Sequence, residues 1–514
     1  MGFFTELEKA DNTTFTENGD IAYRQILKAG DVKHNLKLFG LGGAMRFKTN
    51  SMRDLFGKAF AENAALAIKN MFYLRDCRGG KGERELFRVC LDHAAQADPA
   101  AIKGIPPFIL EYGRGDDLLG LVDNNSTKSL VCAFIKARID DDLKRLKEGE
   151  SISLLAKWLP KPNATAKHKR ELARIIAKEL GMSENEYRRV ISRLRSKLNL
   201  VETALTNKET GLNYPAIPSQ AMHKHSGFGS YYSKHTQNAF ERNDGFSFNL
   251  YKEWLAAGKS DIKVTTLSPV QVYKRALTER VISQAQWDEI ERRVPETDKR
   301  IIIVRDGSGS MWGDPLDIAT SLTILAAGKL TGEFKDKFIT FSSEPRLVDL
   351  SGCAGLAEKR RLCENEDECT NTNIEATYDL ILETSKHCAP KDYITNVVVI
   401  SDMQFDIGTD YEFMYFGFNP RFVKDKRKRQ RSTFDKAKKK FADAGIPFPT
   451  MTYWNVNALN LSFPTDEIDG VQFVSGYTDA IYKAILEHGS VDAVEFMDKT
   501  LKKYDKCAKA WEGR

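Results

Sequence analysis

The chain has 514 residues, with 77 Lys+Arg against 71 Asp+Glu for a formal net charge of +6; 42% of residues are hydrophobic and 29% charged. This composition excludes a mainly disordered, collagen-like or disulfide-scaffold protein, and the length suggests about two to four domains. No stretch approaches the ~20 apolar residues of a membrane span, the start has no signal-peptide pattern, and the eight Cys are scattered, so a reduced, cytoplasmic chain is expected.

In chain order, residues 1–295 read as mostly helical. Leu55, Phe56, Ala59, Phe60, Ala64, Leu66, Ala67 and Met71 recur at helical spacing over 52–74. Similar patterns cover 83–95, 105–112, 127–146, 169–180, 184–198, 246–257 and 269–276, with short Gly, Pro or Asp breaks between them. The expectation is an all-α domain over 1–295, a bundle or a solenoid of paired helices, although no repeat of fixed period is visible. After Pro295 the character changes. Runs rich in β-branched residues at 299–306, 338–341, 396–400, 451–456 and 471–474 alternate with helical stretches at 315–330, 373–384, 433–444 and 478–487. That alternation predicts an α/β domain over 296–514, with a mainly parallel sheet covered on both faces and ligands at the carboxyl ends of its strands.

The small net charge conceals two basic runs. Residues 157–197 hold 12 Lys+Arg against 4 Glu, and residues 421–440 hold 11 against 2 Asp. Local positive charge on a mildly acidic body suits a phosphate backbone, whose neutralisation releases counterions; a solvated helix face or a basic loop is the alternative.

Asp306-Gly307-Ser308-Gly309-Ser310 directly follows the first predicted strand of the second half. Its glycines let the loop fold back, so that one carboxylate and two hydroxyls converge. These are hard oxygen donors suited to Mg²⁺, with Mn²⁺ or Ca²⁺ also compatible. Three ligands do not complete an octahedral shell, and Thr370-Asn371-Thr372-Asn373 and Ser401-Asp402 are the further candidates. The constellation resembles the metal-ion-dependent adhesion site (MIDAS) of von Willebrand factor A domains. The resemblance implies Asp306, Ser308, Ser310, Thr372 and Asp402 as ligands, with Thr370 also fitting the threonine position. Arg305 departs from the pattern, standing where that family has a small or apolar residue. Aimed at the site it would compete with the metal; aimed away it is a strand residue.

The first half carries recognisable text as well: 72–88 (FYLRDCRGGKGERELFR), 111–119 (EYGRGDDLL) and 217–222 (IPSQAM), with 337–342 (KFITFS) in the second half. Together these resemble a domain-of-unknown-function family of phage, fungal and plant proteins. That family is similar to the Ro (TROVE-module) RNA-binding proteins, in which HEAT-like helical repeats form a ring closed by a von Willebrand A-like domain. The resemblance implies a ribonucleoprotein that holds small non-coding RNA or RNA 3′ ends.

Three segments are candidate RNA contacts. Arg75, Arg78, Lys81 and Arg84 flank a glycine-rich turn before a helix, where exposed amides and a positive helix end could take a phosphate; an ordinary capped turn with Arg84 and Glu85 in an ion pair is the alternative. Lys167, Lys169, Arg170, Arg174, Arg188, Arg189 and Arg193 lie in the first basic run. His223, Lys224, His225, Tyr231, Tyr232 and Lys234 mix cations with rings able to stack on unpaired bases, or form a loop with partly packed aromatics. No Ser-His-Asp set, Rossmann fingerprint or kinase set is present, so a non-catalytic RNA-binding protein is expected. A protein-interaction module gripping a partner carboxylate through the metal, and a metal-dependent nuclease, are the rivals.

Overall fold

Short β-branched runs form strands where both faces of the backbone are buried, and Ile301–Asp306, with every residue buried, is the centre of such a sheet. The structure, a computed structural model, describes residues 8–9, 11–16, 19–227, 237–259, 261–341, 345–365, 374–405, 433–459, 461–489 and 491–513. Strands β1 (Thr13–Phe15) and β2 (Ile21–Tyr23) form an antiparallel pair. Strands β3 (Ile301–Asp306), β4 (Lys337–Phe341), β5 (Arg346–Asp349), β6 (Asn396–Ser401), β7 (Thr450–Asn455) and β8 (Val471–Ser475) form one sheet in the order β5-β4-β3-β6-β7-β8. All its neighbours are parallel except the edge strand β5, which runs antiparallel to β4. The five parallel strands coincide with the expected runs. β5 was not legible, because a short edge strand with only Val348 buried has no apolar run to mark it.

The chain divides into two compact units, one of residues 1–47 and 255–500 and the other of residues 48–254 and 501–514. A single cut at 295/296, as the sequence suggested, does not separate them. Residues 255–295 pack with the sheet, and the last fourteen residues pack with the helices.

In the sheet unit, helix Asp314–Gly328 is buried continuously from Ile318 to Ala327, and Tyr482 of helix Asp479–His488 donates to its Ala326 carbonyl at 3.2 Å. Helix Ile374–Lys386 places the Tyr378 hydroxyl 2.8 Å from that of Tyr453 on β7. Helix Lys33–Leu41 lies on β8 through Gly40, where a Cβ would come 3.0 Å from the Phe473 Cβ. In the helical unit the expected helix over 52–74 is two helices, Thr49–Glu62 and Ala64–Arg75. Asn63 between them is extended, and its Oδ1 accepts the Leu66 amide at 3.0 Å, so an N-cap breaks an unbroken apolar pattern. Helix Asp505–Trp511 returns to this pair, with Trp511 edge-on to Phe60 at 5.7 Å. No described helix is long and apolar enough to cross a membrane.

Candidate cation and nucleic-acid sites

β3 and β6 are adjacent, and the chain leaves them for β4 on one side and β7 on the other, so the sheet's topological switch point lies between their carboxyl ends. β3 ends on Asp306 and β6 on Ser401-Asp402, which brings two segments 95 residues apart to one place. Asp306, Ser308, Ser401 and Asp402 are buried and Ser310 is half-buried. Asp306 Oδ1 accepts the Ser308 amide at 2.9 Å and its Oδ2 accepts the Ser401 hydroxyl at 2.5 Å. The Ser308 and Ser310 hydroxyls lie 3.2 Å apart, and Asp402 Oδ1 accepts the Gln404 amide at 3.2 Å. Burial pushes the Asp306 carboxyl above its usual range, against the hydrogen bonds from Ser401 and Ser308 and the Arg305 charge.

Each Asp306 oxygen keeps a second lone pair, so this donor set, carboxylates with adjacent hydroxyls, fits a hard divalent cation. Among the described residues no three His, Cys, Asp or Glu side chains gather as a metal cluster, so such a site depends on its hydroxyls. Thr370 and Thr372 lie outside the described residues.

Arg305 points away from these oxygens. Side chains alternate along a strand, and its guanidinium is buried toward helix Asp314–Gly328, donating to Thr320 Oγ1 at 2.9 Å and lying 5.3 Å from the Phe338 ring centroid. Sequence reasoning named Ser401 beside Asp402 as a candidate but not its bond to Asp306, and it missed Asn455. Ser401 holds Asp306, and Asn455, in register with Ser401 on one side and Ser475 on the other, extends a buried polar rung across β6, β7 and β8. Only the strand register reveals this rung.

Several amides of the glycine-rich turn are bonded within the chain. The amides of Lys81 and Glu83 donate to the Tyr73 and Leu74 carbonyls at 2.9 and 2.8 Å, and the Gly82 amide to the Asp76 carbonyl at 3.1 Å. Those of Arg78 and Gly79 donate to Asp76 Oδ1 at 2.9 and 3.1 Å. The turn therefore spends its donors closing the end of helix Ala64–Arg75. Gly80 is required there, since a Cβ would lie 2.2 Å from the Tyr73 carbonyl oxygen.

Two of the four predicted contacts in this segment are buried. Arg75 donates through Nε to Asp117 Oδ2 at 2.8 Å. Lys81 lies with Nζ 5.4 Å from the Tyr73 ring centroid, and burial holds its ammonium down at about 7, opposed by Glu83. Arg78 and Arg84 are exposed. Arg78 reaches the Glu111 carbonyl at 2.8 Å, and Arg84 pairs with Glu85 at 2.8 Å, the alternative weighed from the sequence.

The first basic run keeps an open face. Helices Lys167–Glu179 and Glu184–Ser196 form a hairpin turned by Gly181 at φ +71° and capped by Ser183, whose Oγ accepts the Glu186 amide at 3.3 Å while Glu186 Oε2 accepts the Ser183 amide at 2.8 Å. Tyr187, Ile191 and Leu194 face inward, which leaves Arg188, Arg189 and Arg193 together on the exposed side. None of these three guanidiniums makes a hydrogen bond or ion pair to a described residue. Their neighbours are less free. Lys167 lies 3.9 Å from Glu171, Arg174 bonds Glu184 at 3.1 Å, and Arg170 caps the Ala164 and Thr165 carbonyls; Lys169 is exposed.

In helix Ser219–Ser226, Lys224 is exposed, while His223 and His225 are half-buried. The His225 ring sits 5.8 Å from Phe240, and burial, then the Lys224 charge, holds it below its usual value. Tyr231, Tyr232 and Lys234 lie outside the described residues, as does 421–432 of the second basic run. Lys440, at the end of that run, is paired with Glu375 and Asp379 at 3.0 and 2.8 Å.

Residues 300–512 match a domain of unknown function, DUF7788, a span that includes all six strands of the sheet. The full chain is similar to an uncharacterised protein of Acanthamoeba polyphaga mimivirus, 26% identical over 529 residues that cover 96% of this chain and 88% of that one. The crystal structure of the Deinococcus radiodurans Ro (RSR) protein aligns over 90% of this chain and 93% of its own, at 12% identity and a TM-score of 0.38. That likeness is too low to carry a conclusion by itself.

Proposed function

We propose that this protein binds RNA through the exposed basic face of its helical unit, without catalysing a reaction on it. The observation that carries this reading is the exposed row of Arg188, Arg189 and Arg193 on one helix, none of whose guanidiniums is tied up in an ion pair or hydrogen bond to a described residue; Glu186 is near enough to feel the Arg189 charge but does not pair with it. Guanidinium groups so placed suit phosphate oxygens and the faces of unpaired bases.

Fluorescence anisotropy with a single-stranded RNA across a salt series tests it. Replacing the three arginines with Gln should weaken binding and reduce the slope of log K against log salt by about 2, the loss of three phosphate contacts on a single strand. An unchanged slope, or no binding at low salt, overturns the reading. RNA cleavage that needs Mg²⁺ and disappears in Asp306→Ala would replace it with a nuclease.

The finer reading adds a von Willebrand A-like sheet unit whose Asp306, Ser308, Ser310 and Asp402 would hold Mg²⁺, and a Ro-like, HEAT-type arrangement of the helices. Support for the cation comes from the hard donor set at the switch point and from the turn of the buried Arg305 toward Thr320. Bound, the cation would supply a positive centre for one further oxygen ligand. Mn²⁺ electron paramagnetic resonance should show saturable binding to the native chain and its loss in Asp306→Ala. Equal binding by both removes the site. A partner carboxylate at this cation is favoured by one observation, the exposed Trp312 immediately beyond the serines. Loss of a protein contact in Asp306→Ala, with RNA affinity intact, would support it.

A further inference from the structure

The sheet unit contains a cavity of about 560 Å³, apart from the cation cluster and within the size range of small-molecule sites. One wall is a single face of helix Arg280–Arg293, contributing Arg280, Val281, Gln284, Ala285 and Asp288. The opposite wall is the first turn of helix Leu356–Asn365 with Arg361. Leu255, Ala256 and Ala276 extend an apolar floor.

The acidic groups of this cavity are engaged in holding its walls. Gln284 Oε1 accepts the Leu356 amide at 2.8 Å and its Nε2 donates to Asp288 Oδ1 at 2.6 Å. Glu358 Oε2 accepts the Ala354 amide at 2.8 Å. Gly355 allows the walls to meet, since a Cβ there would lie 2.6 Å from Gln284 Oε1. The cations are not engaged in this way. Among the described residues, neither the Arg280 nor the Arg361 guanidinium forms an ion pair or hydrogen bond, so each keeps five planar donors available. The first turns of both helices also bring their positive ends to the cavity.

We propose that this cavity binds a small organic anion, a phosphate or carboxylate carried on an apolar body, with Arg280 and Arg361 taking the anionic end. The planar fork of each guanidinium matches two oxygens of such a group. Val281, Ala285 and the alanines of the floor leave room for the body, and a bulkier side chain there would fill it.

Calorimetric titration of the full chain with phenyl phosphate tests this, with inorganic phosphate and phenol as its separate halves. Saturable binding should be at least about tenfold tighter than for either half, and should fall about tenfold in Arg361→Ala, the loss expected for one charge-assisted contact. Ala285→Phe should abolish it by filling the cavity; its thermal melt, read alongside, confirms that the chain still folds, and Ala285→Val serves if it does not. Equal binding of inorganic phosphate and phenyl phosphate, or binding unmoved by Arg361→Ala, overturns the proposal. So does a fall in RNA affinity in Arg361→Glu, which would make the cavity part of a nucleic-acid surface instead.

Discussion

Lys81 illustrates how burial decides what a charged residue can do. The ammonium is enclosed beside the Tyr73 ring, and burial lowers its proton affinity to about 7, with Glu83 opposing. An unfolded lysine titrates near ~10.4. Between pH 7 and that value the unfolded chain therefore holds a proton that the folded chain has shed, and stability rises with pH across the window. Below pH 7 both states are protonated and the cost of burying the charge is fully present. Lys81→Met keeps the volume and removes the charge. It should gain most over the native protein below pH 7, and its advantage should shrink as pH approaches 10, measured by urea denaturation at several pH values. Arg305 is the companion case. In the sequence it threatens the cation site, yet strand alternation turns it toward Thr320 on the covering helix.

At the scale of elements, one carboxylate ties three segments of the helical unit together. Asp117 Oδ2 accepts Arg75 Nε from helix Ala64–Arg75 at 2.8 Å, and its Oδ1 accepts Arg88 Nε from helix Arg84–Ala97 at 2.9 Å. Asp117 Oδ2 also accepts the Arg114 amide of its own turn at 3.0 Å, and the Arg114 guanidinium packs 4.3 Å from the Trp158 ring centroid. Asp117 is fully buried, so Asp117→Ala leaves Arg75 enclosed without a counter-charge. Removing one partner of a buried pair costs about 3–5 kcal/mol, and a melting transition lowered to match is the expected result. Both segments were visible in the sequence, at 72–88 and 111–119, as text that carries a family resemblance, and the first also as a candidate phosphate contact. Their shared text is a packing interaction between elements.

At the scale of the whole molecule, each compact unit is built from two separate stretches of chain. The final segment belongs to the helical unit. Asp76 Oδ2 accepts Lys503 Nζ at 2.7 Å and the Tyr504 hydroxyl at 3.0 Å, and Lys69 pairs with Asp505 at 2.5 Å. Truncation after residue 500 should therefore destabilise the helices of 49–97 while leaving the sheet's core strands protected. Hydrogen exchange resolved by peptide checks this: faster exchange in 64–75 and unchanged exchange in β3 and β6 are expected.

The sequence by itself determined the parallel strands, the helices between them, and the placement of Asp306 and Asp402 at strand ends. Buried β-branched runs and helical spacing are local signals, and a motif that follows a strand inherits that strand's position. Tertiary structure alone decided which basic residues face water and which are enclosed. Local periodicity reports the inward face of an element but not what lies across from it. For that reason Arg188, Arg189 and Arg193 remain open while Arg75 and Lys81 are buried, although all five stood in the sequence as equivalent cations. The same reason hid Ser401 as the hydroxyl that holds Asp306, and the discontinuous units, whose parts meet only after the chain has folded.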